Sequence, residues 1–206
     1  MPTDTAASTV RVADAPKNPR YDSSKVAGNA PPEIKEFIAN AKEYNWTYDH
    51  PRYRDQPYFG KGIQNKFQVT EVSVLNKADE EKKLEGRVVV ELIVGEDMIN
   101  GSGNIHGGCS AFLVDMCSSM AISTLKLATT GKDDLIVSQA INMIYHSPAA
   151  VGDKLRIVNT SVTVGNRAQS ARTEIWNATH NRLVASGTHV TMCPSPPPDR
   201  KRQSKM

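Results

Sequence analysis

The feature that most constrains this chain is an apolar segment from Ala111 to Leu127. Its apolar residues cover every side of a helical wheel, which is typical of a helix buried in the core of a fold. The segment is predicted to be too short and too rich in serine to span a bilayer. Because such a helix has to be covered on every side, it constrains whatever packs around it.

One carboxylate, that of Asp115, lies in the middle of this segment. Its neighbours one helical turn away include no cation; they are Ala111, Phe112, Ser118 and Ser119. Burying an unpaired carboxylate costs free energy. Asp115 therefore either has a partner from elsewhere in the fold or serves chemistry.

A glycine-rich loop from Asn100 to Gly108 leads into the predicted helix. The first N–H groups of a helix have no partner within it, and the aligned peptide dipoles make that end partly positive. Gly107 and Gly108 allow another group to approach the backbone closely. This end of the helix is suited to stabilising a carbonyl oxygen that becomes negative during acyl transfer.

Charge and cysteine content limit the classes of protein to which this chain can belong. The formal net charge of +3 belongs to residues 194–206, which hold four basic residues against one acidic residue, so the rest of the chain is balanced. A balanced domain argues against a nucleic-acid partner. The three cysteines form an odd, sparse set and no secretory signal is recognised, so free thiols are expected. Cys109 or Cys117 could be a nucleophile, but packing is the more frequent role of a buried helical cysteine.

The N-terminal part of the chain is predicted to be an extension, residues 1–57. Residues 1–30 lack periodicity and are predicted to be disordered. Pro32 to Tyr44 has prolines at its start and one apolar face, which predicts a short amphipathic helix. The aromatic and charged residues from Tyr44 to Tyr58 predict a surface loop.

Six segments with β-branched residues or alternating polarity predict strands. They are Phe67–Leu75, with a slip of phase after Val69, and then Gly86–Gly95, Leu135–Tyr145, Lys154–Val164, Ala168–Ala178 and Leu183–Met192. Two strands, one buried helix and four strands indicate an α+β fold, in which an antiparallel sheet of about six strands wraps the helix. The predicted domain is 58–193, followed by a proline-rich basic tail at 194–206.

Particular residues resemble a known family, the PaaI-like hot-dog-fold acyl-CoA thioesterases, and the small mammalian type most closely. The resemblance covers roughly residues 60–192. Its pattern consists of Asn100, His106-Gly107-Gly108, Asp115, Val137-Ser138, Asn142, Tyr145, Ser147-Pro148 and Gly152-Asp153. It implies a hot-dog fold, a homodimer or tetramer, and active sites at the dimer interface.

The resemblance also implies roles for individual residues. Asp115 matches the catalytic carboxylate and Gly107 the backbone N–H that polarises the thioester carbonyl. Asn100 helps place the water or the carbonyl, although an Asn-Gly turn explains it equally on sequence alone. His106 matches a supporting residue, although a hydrogen-bonded core histidine fits the sequence as well. Ser138 matches a hydroxyl near Asp115, which the other subunit's Gly107 and Asn100 would face.

The function implied is hydrolysis of acyl-CoA thioesters to the free acid and CoA, without a metal or redox cofactor. Asp115 would act as base or as nucleophile, and both routes stay open. Arg167 is the candidate for binding the CoA phosphates. Two alternatives remain: a hot-dog dehydratase acting on hydroxyacyl thioesters with His106 as base, or a non-catalytic acyl-CoA-binding dimer. Neither nucleic acid nor membrane insertion is expected.

The residues Ser204-Lys205-Met206 predict a peroxisomal location, with the cytoplasm as the alternative. A C-terminal Ser-Lys-Leu directs import into peroxisomes, and methionine has a flexible apolar side chain that can replace leucine. A fluorescent fusion with this C-terminus should label peroxisomes, and removal of the three residues should disperse it. Diffuse signal from both fusions would contradict the prediction.

Overall fold

The computed structural model of the chain describes residues 9–11, 22–39 and 58–194. The long helix α3 spans Gly107–Thr130 and is 24 residues long. His106 caps its start, and Gly131 ends it in a left-handed conformation with φ of 69°. Glycine adopts this conformation without the penalty that a Cβ would impose, which explains why the helix stops there.

The length of α3 corrects one prediction from the sequence. By length and composition the helix is long and apolar enough to cross a membrane, whereas the sequence analysis judged it too short. The same test is passed by the core helix of a soluble protein, and 67% of the apolar window lies buried inside the fold. Leu113, Val114, Cys117 and Met120 are among the residues of α3 that belong to the main hydrophobic cluster.

A six-stranded sheet packs against α3, and its strand order is β2-β3-β6-β7-β8-β5. Every neighbouring pair is antiparallel. The strands are β2 (Gln68–Asn76), β3 (Leu84–Ile93), β5 (Val137–Tyr145), β6 (Lys154–Val164), β7 (Ala168–Asn177) and β8 (Arg182–Met192). All six predicted strands are confirmed to within two residues at every boundary. A β-bulge between Val69 and Glu71 accounts for the slip of phase in the first strand.

The segment before the sheet covers one of its two edges. The Ala27 N–H donates to Thr70 O (2.9 Å), and the Val72 N–H donates to Ala27 O (3.0 Å). The side chain of Asn29 completes the pairing, since its amide donates to Val74 O and its oxygen accepts from Val74 N–H. The β2 edge is therefore closed to another strand. The opposite edge, β5, has no such cover within the described residues.

Two further α-helices and a small two-stranded sheet lie beside the main sheet and α3. Helix α1 (Pro32–Ala39) packs Ile34, Phe37 and Ile38 into the core, against α3 and β2. This confirms the first part of the predicted helix Pro32–Tyr44, and the predicted part from residue 40 to Tyr44 lies outside the described residues. Helix α2 (Lys61–Gln64), which was not predicted, precedes β2.

Strand β1 (Thr9–Arg11) pairs with β4 (Lys132–Asp134), which directly follows α3. The sequence analysis predicted disorder for residues 1–30, and β1 and the edge-covering segment differ from that prediction. Both are ordered by pairing with distant strands, which local composition does not reveal. The predicted loop up to residue 57, the basic tail from 195 and the Ser-Lys-Met end lie outside the described residues. The peroxisomal location stays a prediction.

Candidate active site

The start of α3 presents an unoccupied backbone donor at Gly107. His106 lies just before the helix, and its Nδ1 accepts from the Gly108 N–H at 2.9 Å. Within the part of the chain that the structure describes, the Gly107 N–H has no hydrogen-bond partner. The Gly107 carbonyl accepts from the Tyr145 hydroxyl of β5 at 3.1 Å. The predicted oxyanion donor is therefore free, and the carbonyl of the same residue is held by Tyr145.

The loop before α3 is held by its own asparagine. Asn100 Oδ1 accepts from the Ser102 N–H (2.9 Å) and from the Asn104 N–H (3.3 Å). The Asn100 N–H donates to Asn104 O at 2.8 Å. The side-chain oxygen of Asn100 is thus engaged in turn chemistry, one of the two roles considered from its sequence. Its side-chain amide nitrogen has no hydrogen-bond partner within the described residues.

Asp115 lies two turns further along α3, on the side of the helix that faces β5. Ser138 Oγ donates to Asp115 Oδ1 at 2.7 Å, which confirms that the structure brings these two predicted residues together. The carboxylate is 38% exposed in the single chain. It belongs to a half-exposed stripe on α3, whose members are Ala111, Phe112, Asp115, Met116 and Ser119.

His189 of β8 is a third member of the site that the sequence analysis missed. Its ring is fully buried, and Nε2 lies 3.3 Å from Asp115 Oδ1. The geometry of this contact falls outside that of a hydrogen bond, so the attraction is electrostatic. Nδ1 lies 2.7 Å from Ser118 Oγ. We assign the proton to Nε2, because a bare nitrogen lone pair facing a carboxylate oxygen would be repelled.

Burial lowers the pKa of His189, and the nearby Asp115 carboxylate opposes this only in part. The histidine is therefore neutral at neutral pH. One sequence signal pointed to it: in the alternation of β8, His189 shares a face with Ala185 and Gly187, which is the face turned toward α3. A histidine on the buried face of a strand needs a polar partner, and only the fold identifies that partner as Asp115.

The two other polar candidates are placed as follows. His106 is exposed and serves as a helix cap, so the core-histidine interpretation is wrong. Arg167 is exposed in the turn between β6 and β7. The residue after it, Ala168, pairs with Met192, which pairs in turn with Val137 next to Ser138. Arg167 therefore lies at the same end of the sheet as Ser138, about 10 Å away across two strand spacings.

The cysteines do not have the properties of nucleophiles. Burial, with a smaller effect of the Asp97 charge, raises the pKa of the Cys109 thiol to about 11. Complete burial raises the pKa of Cys117 further. A thiolate is the reactive form of cysteine, so both residues remain unreactive thiols near neutral pH. Within the described ranges, no cluster of three or more histidine, cysteine or acidic residues is arranged to hold a metal.

A cavity of about 520 Å³ opens beside the start of α3. His106 and Gly108 form one wall, and apolar side chains form much of the rest; they include Phe59, Ile63, Met98, Ile99 and Phe112. The rings of Phe59 and Phe112 meet edge to face with centroids 5.4 Å apart. A cavity of this size and lining accepts an aliphatic or aryl group.

Comparison with known proteins gives consistent findings. The thioesterase superfamily model matches residues 102–184. Mouse acyl-coenzyme A thioesterase 13 is 32% identical over 104 residues, which cover 50% of this chain and 71% of that protein. The human protein of the same name is 31% identical over 105 residues, which cover 51% and 71%. The crystal structure of zebra fish thioesterase superfamily member 2 superimposes with a TM-score of 0.53 at 29% identity, covering 68% of this chain and 89% of that one.

These findings establish both the fold and the family of the chain. The sheet and its long helix form the hot-dog fold of thioesterases, as the sequence predicted. The chain belongs to the thioesterase superfamily, and it is a thioesterase enzyme.

The buried neutral His189 predicts a pH dependence of stability. Its folded-state pKa lies below the unfolded value of about 6.5, so the unfolded chain binds more protons as the pH falls through this range. The contribution of His189 to the free energy of unfolding should be fully present above about pH 6.5. As the pH falls below that value, the free energy of unfolding should decrease by at most about 1.4 kcal/mol per pH unit for one proton. Urea unfolding between pH 7.5 and pH 5 measures this slope.

The matched comparison uses two histidine variants. His189→Gln should unfold with a shallower pH slope than the wild type, whereas His146→Gln, at an exposed histidine, should keep the wild-type slope. Equal slopes for the wild type and His189→Gln would contradict the assignment of His189 as a buried neutral group.

Proposed function

We propose that this thioesterase hydrolyses acyl-CoA to a free acid and CoA. The observation that carries the proposal is the Asp115 carboxylate, oriented by Ser138 and His189 on a half-exposed face of α3. The curated relatives named acyl-coenzyme A thioesterase 13 support the substrate class.

The proposed chemistry needs an oxyanion donor and a group that delivers oxygen to the thioester carbon. The free Gly107 N–H, together with the Asn100 amide nitrogen, would receive the negative charge that develops on the carbonyl oxygen. Asp115 would take a proton from a water whose oxygen attacks the carbon, or would attack directly to give a mixed anhydride that water then cleaves. In either route the carbon–sulfur bond breaks, and the CoA thiolate leaves and takes up a proton.

Helix geometry makes a second copy of the chain part of this proposal. Gly107 and Asp115 are eight residues apart on α3, which corresponds to about 12 Å along the helix axis. One thioester carbonyl has to lie about 3 Å from its donor and close to the attacking group, so these two groups of one chain are too far apart. We infer that Gly107 and Asn100 of one copy face Asp115 and Ser138 of the other.

The exposed edge of the sheet supports this arrangement. The β2 edge is closed by the segment around Ala27, whereas β5 is the uncovered edge within the described residues. Along β5, Val137, Ile144 and Tyr145 are 38%, 63% and 56% exposed. An open apolar edge strand is a template for pairing with another chain. The half-exposed stripe of α3 that holds Asp115 would be covered in the same step.

Binding of the CoA part would involve Arg167, and binding of the acyl part the cavity beside Phe112. A guanidinium is suited to a phosphate because its planar donors match the phosphate oxygens. Arg167 is exposed and lies at the Ser138 end of the sheet, which is compatible with a contact to the outer, phosphate-bearing part of CoA.

The dehydratase alternative receives less support from the structure. It would require His106 as a base, with an unprotonated ring nitrogen available to substrate. Nδ1 is already occupied in accepting from the Gly108 N–H, so a neutral His106 carries its proton on Nε2. Taking up another proton on Nδ1 would break the helix cap. A non-catalytic binding dimer is excluded if free CoA is released from acyl-CoA in an assay of several chain lengths.

Asp115→Asn should lower turnover about 10²- to 10⁴-fold, because the amide keeps the shape and cannot act as base or nucleophile. KM should change little. Steady-state release of CoA measures both. Ser138→Ala should also lower turnover, since it removes the hydroxyl bonded to the carboxylate. Ser119→Ala is the control, because that hydroxyl donates to the backbone oxygen of Asp115 and does not touch the carboxylate. Wild-type turnover in Asp115→Asn would rule out the proposed mechanism.

The shared site predicts complementation between two inactive variants. Gly107→Pro removes the proposed donor, and proline is tolerated at the first position of a helix. His106 is already extended, with φ of −69° and ψ of 137°, as a residue before proline must be. Co-expression with two affinity tags isolates oligomers that contain Gly107→Pro and Asp115→Asn chains together.

In a mixed dimer, one site has both defects and the other has neither, so about half of the wild-type activity should return. If both groups served one site within a single chain, every site would lack one of them and the mixed dimer would be inactive. The two homo-oligomers, each inactive, are the controls. Light scattering on the purified samples establishes that they are oligomeric.

A further inference from the structure

The turn Ala149–Asp153 carries a buried carboxylate that the proposed reaction does not use. Asp153 is 6% exposed. Its Oδ2 accepts from the Ala150 N–H at 2.8 Å and from Asn177 Nδ2 at 2.7 Å. Its Oδ1 lies 3.2 Å from Nε2 of His180, which is mostly exposed. Both oxygens of this carboxylate therefore have partners, and two of the bonds are made in a place from which water is largely excluded.

The turn is in direct contact with the loop that precedes α3. The Ile105 N–H donates to Ala149 O at 2.7 Å, and Asn104 forms an isolated bridge with Ala150. The loop is bonded on its other side as well, since the His106 N–H donates to Met98 O at 2.8 Å. The residue that follows His106 is Gly107, the proposed oxyanion donor. Hydrogen bonds and the adjoining backbone therefore link Asn177, through Asp153 and Ile105, to the Gly107 N–H.

The turn also fixes the end of β3. The Val94 N–H donates to Asp153 O and the Gly152 N–H donates to Val94 O, both at 2.9 Å. Gly152 has φ of 89°, a conformation in which a residue other than glycine would be strained. The loop from Asn100 to His106 leaves β3 at one side of this turn and meets the turn again at Ile105. The geometry of the loop thus depends on the geometry of the turn.

The charge state of Asp153 agrees with a role in hydrogen bonding. Burial raises the pKa of its carboxyl, but the bonds from Ala150 and Asn177 and the charges of His180 and Arg182 outweigh this effect, so that the pKa lies below its ordinary value. The group is ionised at neutral pH and acts as an acceptor only.

We propose that Asp153 is a positioning residue. Its carboxylate fixes the turn that holds the Asn100–His106 loop. Through this loop it keeps the Gly107 N–H directed at the position that the thioester carbonyl oxygen would occupy. This role rests on the acyl-CoA hydrolysis proposed above. It differs from a purely structural role, because it predicts an effect on the chemical step and not only on unfolding.

The test compares three variants at a temperature at which all are folded. Asp153→Ala should lower kcat about tenfold to a hundredfold with KM nearly unchanged, since a small displacement of a catalytic group has effects of this size. Asp153→Asn keeps an oxygen that can accept from Ala150 and Asn177, and it should retain kcat within about threefold of the wild type. Thr173→Val is the control: it removes a buried bond to Asn159 elsewhere in the sheet and should lower the unfolding temperature without changing kcat.

A second measurement follows the loop without any substrate. Amide hydrogen exchange at Ile105 should be faster in Asp153→Ala than in the wild type, and unchanged in Thr173→Val. Wild-type kcat in Asp153→Ala, an equal loss of kcat in Thr173→Val, or a loss in Asp153→Asn as large as in Asp153→Ala would each overturn the proposal. If the wild type released no CoA from acyl-CoA, the proposed function would fail, and unchanged exchange at Ile105 would separately overturn the positioning of the loop.

Discussion

The structure depends on the burial of one helix that has no polar face. The sheet meets this requirement by approaching α3 more closely than side chains normally permit. A Cβ on Gly86 of β3 would lie 2.2 Å from the carbonyl oxygen of Ala121, and one on Gly187 of β8 would lie 3.2 Å from Val114 Cγ1. Glycine at these positions lets the backbones of the strands pass close to the helix and its neighbours. Helix α1 covers a further part of α3.

What the sheet and α1 leave uncovered is the stripe that contains Asp115. Within the described residues, the proposed catalytic carboxylate thus lies on a face of the helix that a single chain leaves half-exposed. The need to bury α3 also favours a second copy of the chain. The apolar residues of the stripe lie beside an open strand edge, and they are stabilised when another chain covers them. In the proposed dimer, one event would complete both the core and the proposed site.

Local patterns in the sequence were sufficient for the six main strands and the long helix, but not for the small elements or for all of the contacts. The periodicity of two in the strands and the all-round apolar helix located six strands and α3, and the slip of phase after Val69 corresponds to a real bulge. Asp115 and Ser138 were paired by the family pattern, since nothing local joins residues 23 positions apart. His189 was missed because its contact with Asp115 exists only once β8 has paired with β5 and α3 has packed on the sheet. The ordering of Thr9–Arg11 and of the segment around Ala27 likewise depends on distant strands.

Each of the two histidines near the proposed site is suited to its role by an unprotonated ring nitrogen, and the physical reason differs between them. His106 can accept from the Gly108 N–H only while Nδ1 is unprotonated, and this cap leaves Gly107 as the first free donor of α3. Burial keeps His189 neutral, so it can orient the Asp115 carboxylate without cancelling its negative charge. A lysine or arginine in place of His189 would hold the carboxylate equally well but would reduce its basicity and its nucleophilicity. A buried neutral histidine therefore suits a carboxylate that is proposed to react, whereas a permanent cation would suit one that serves only as a structural partner.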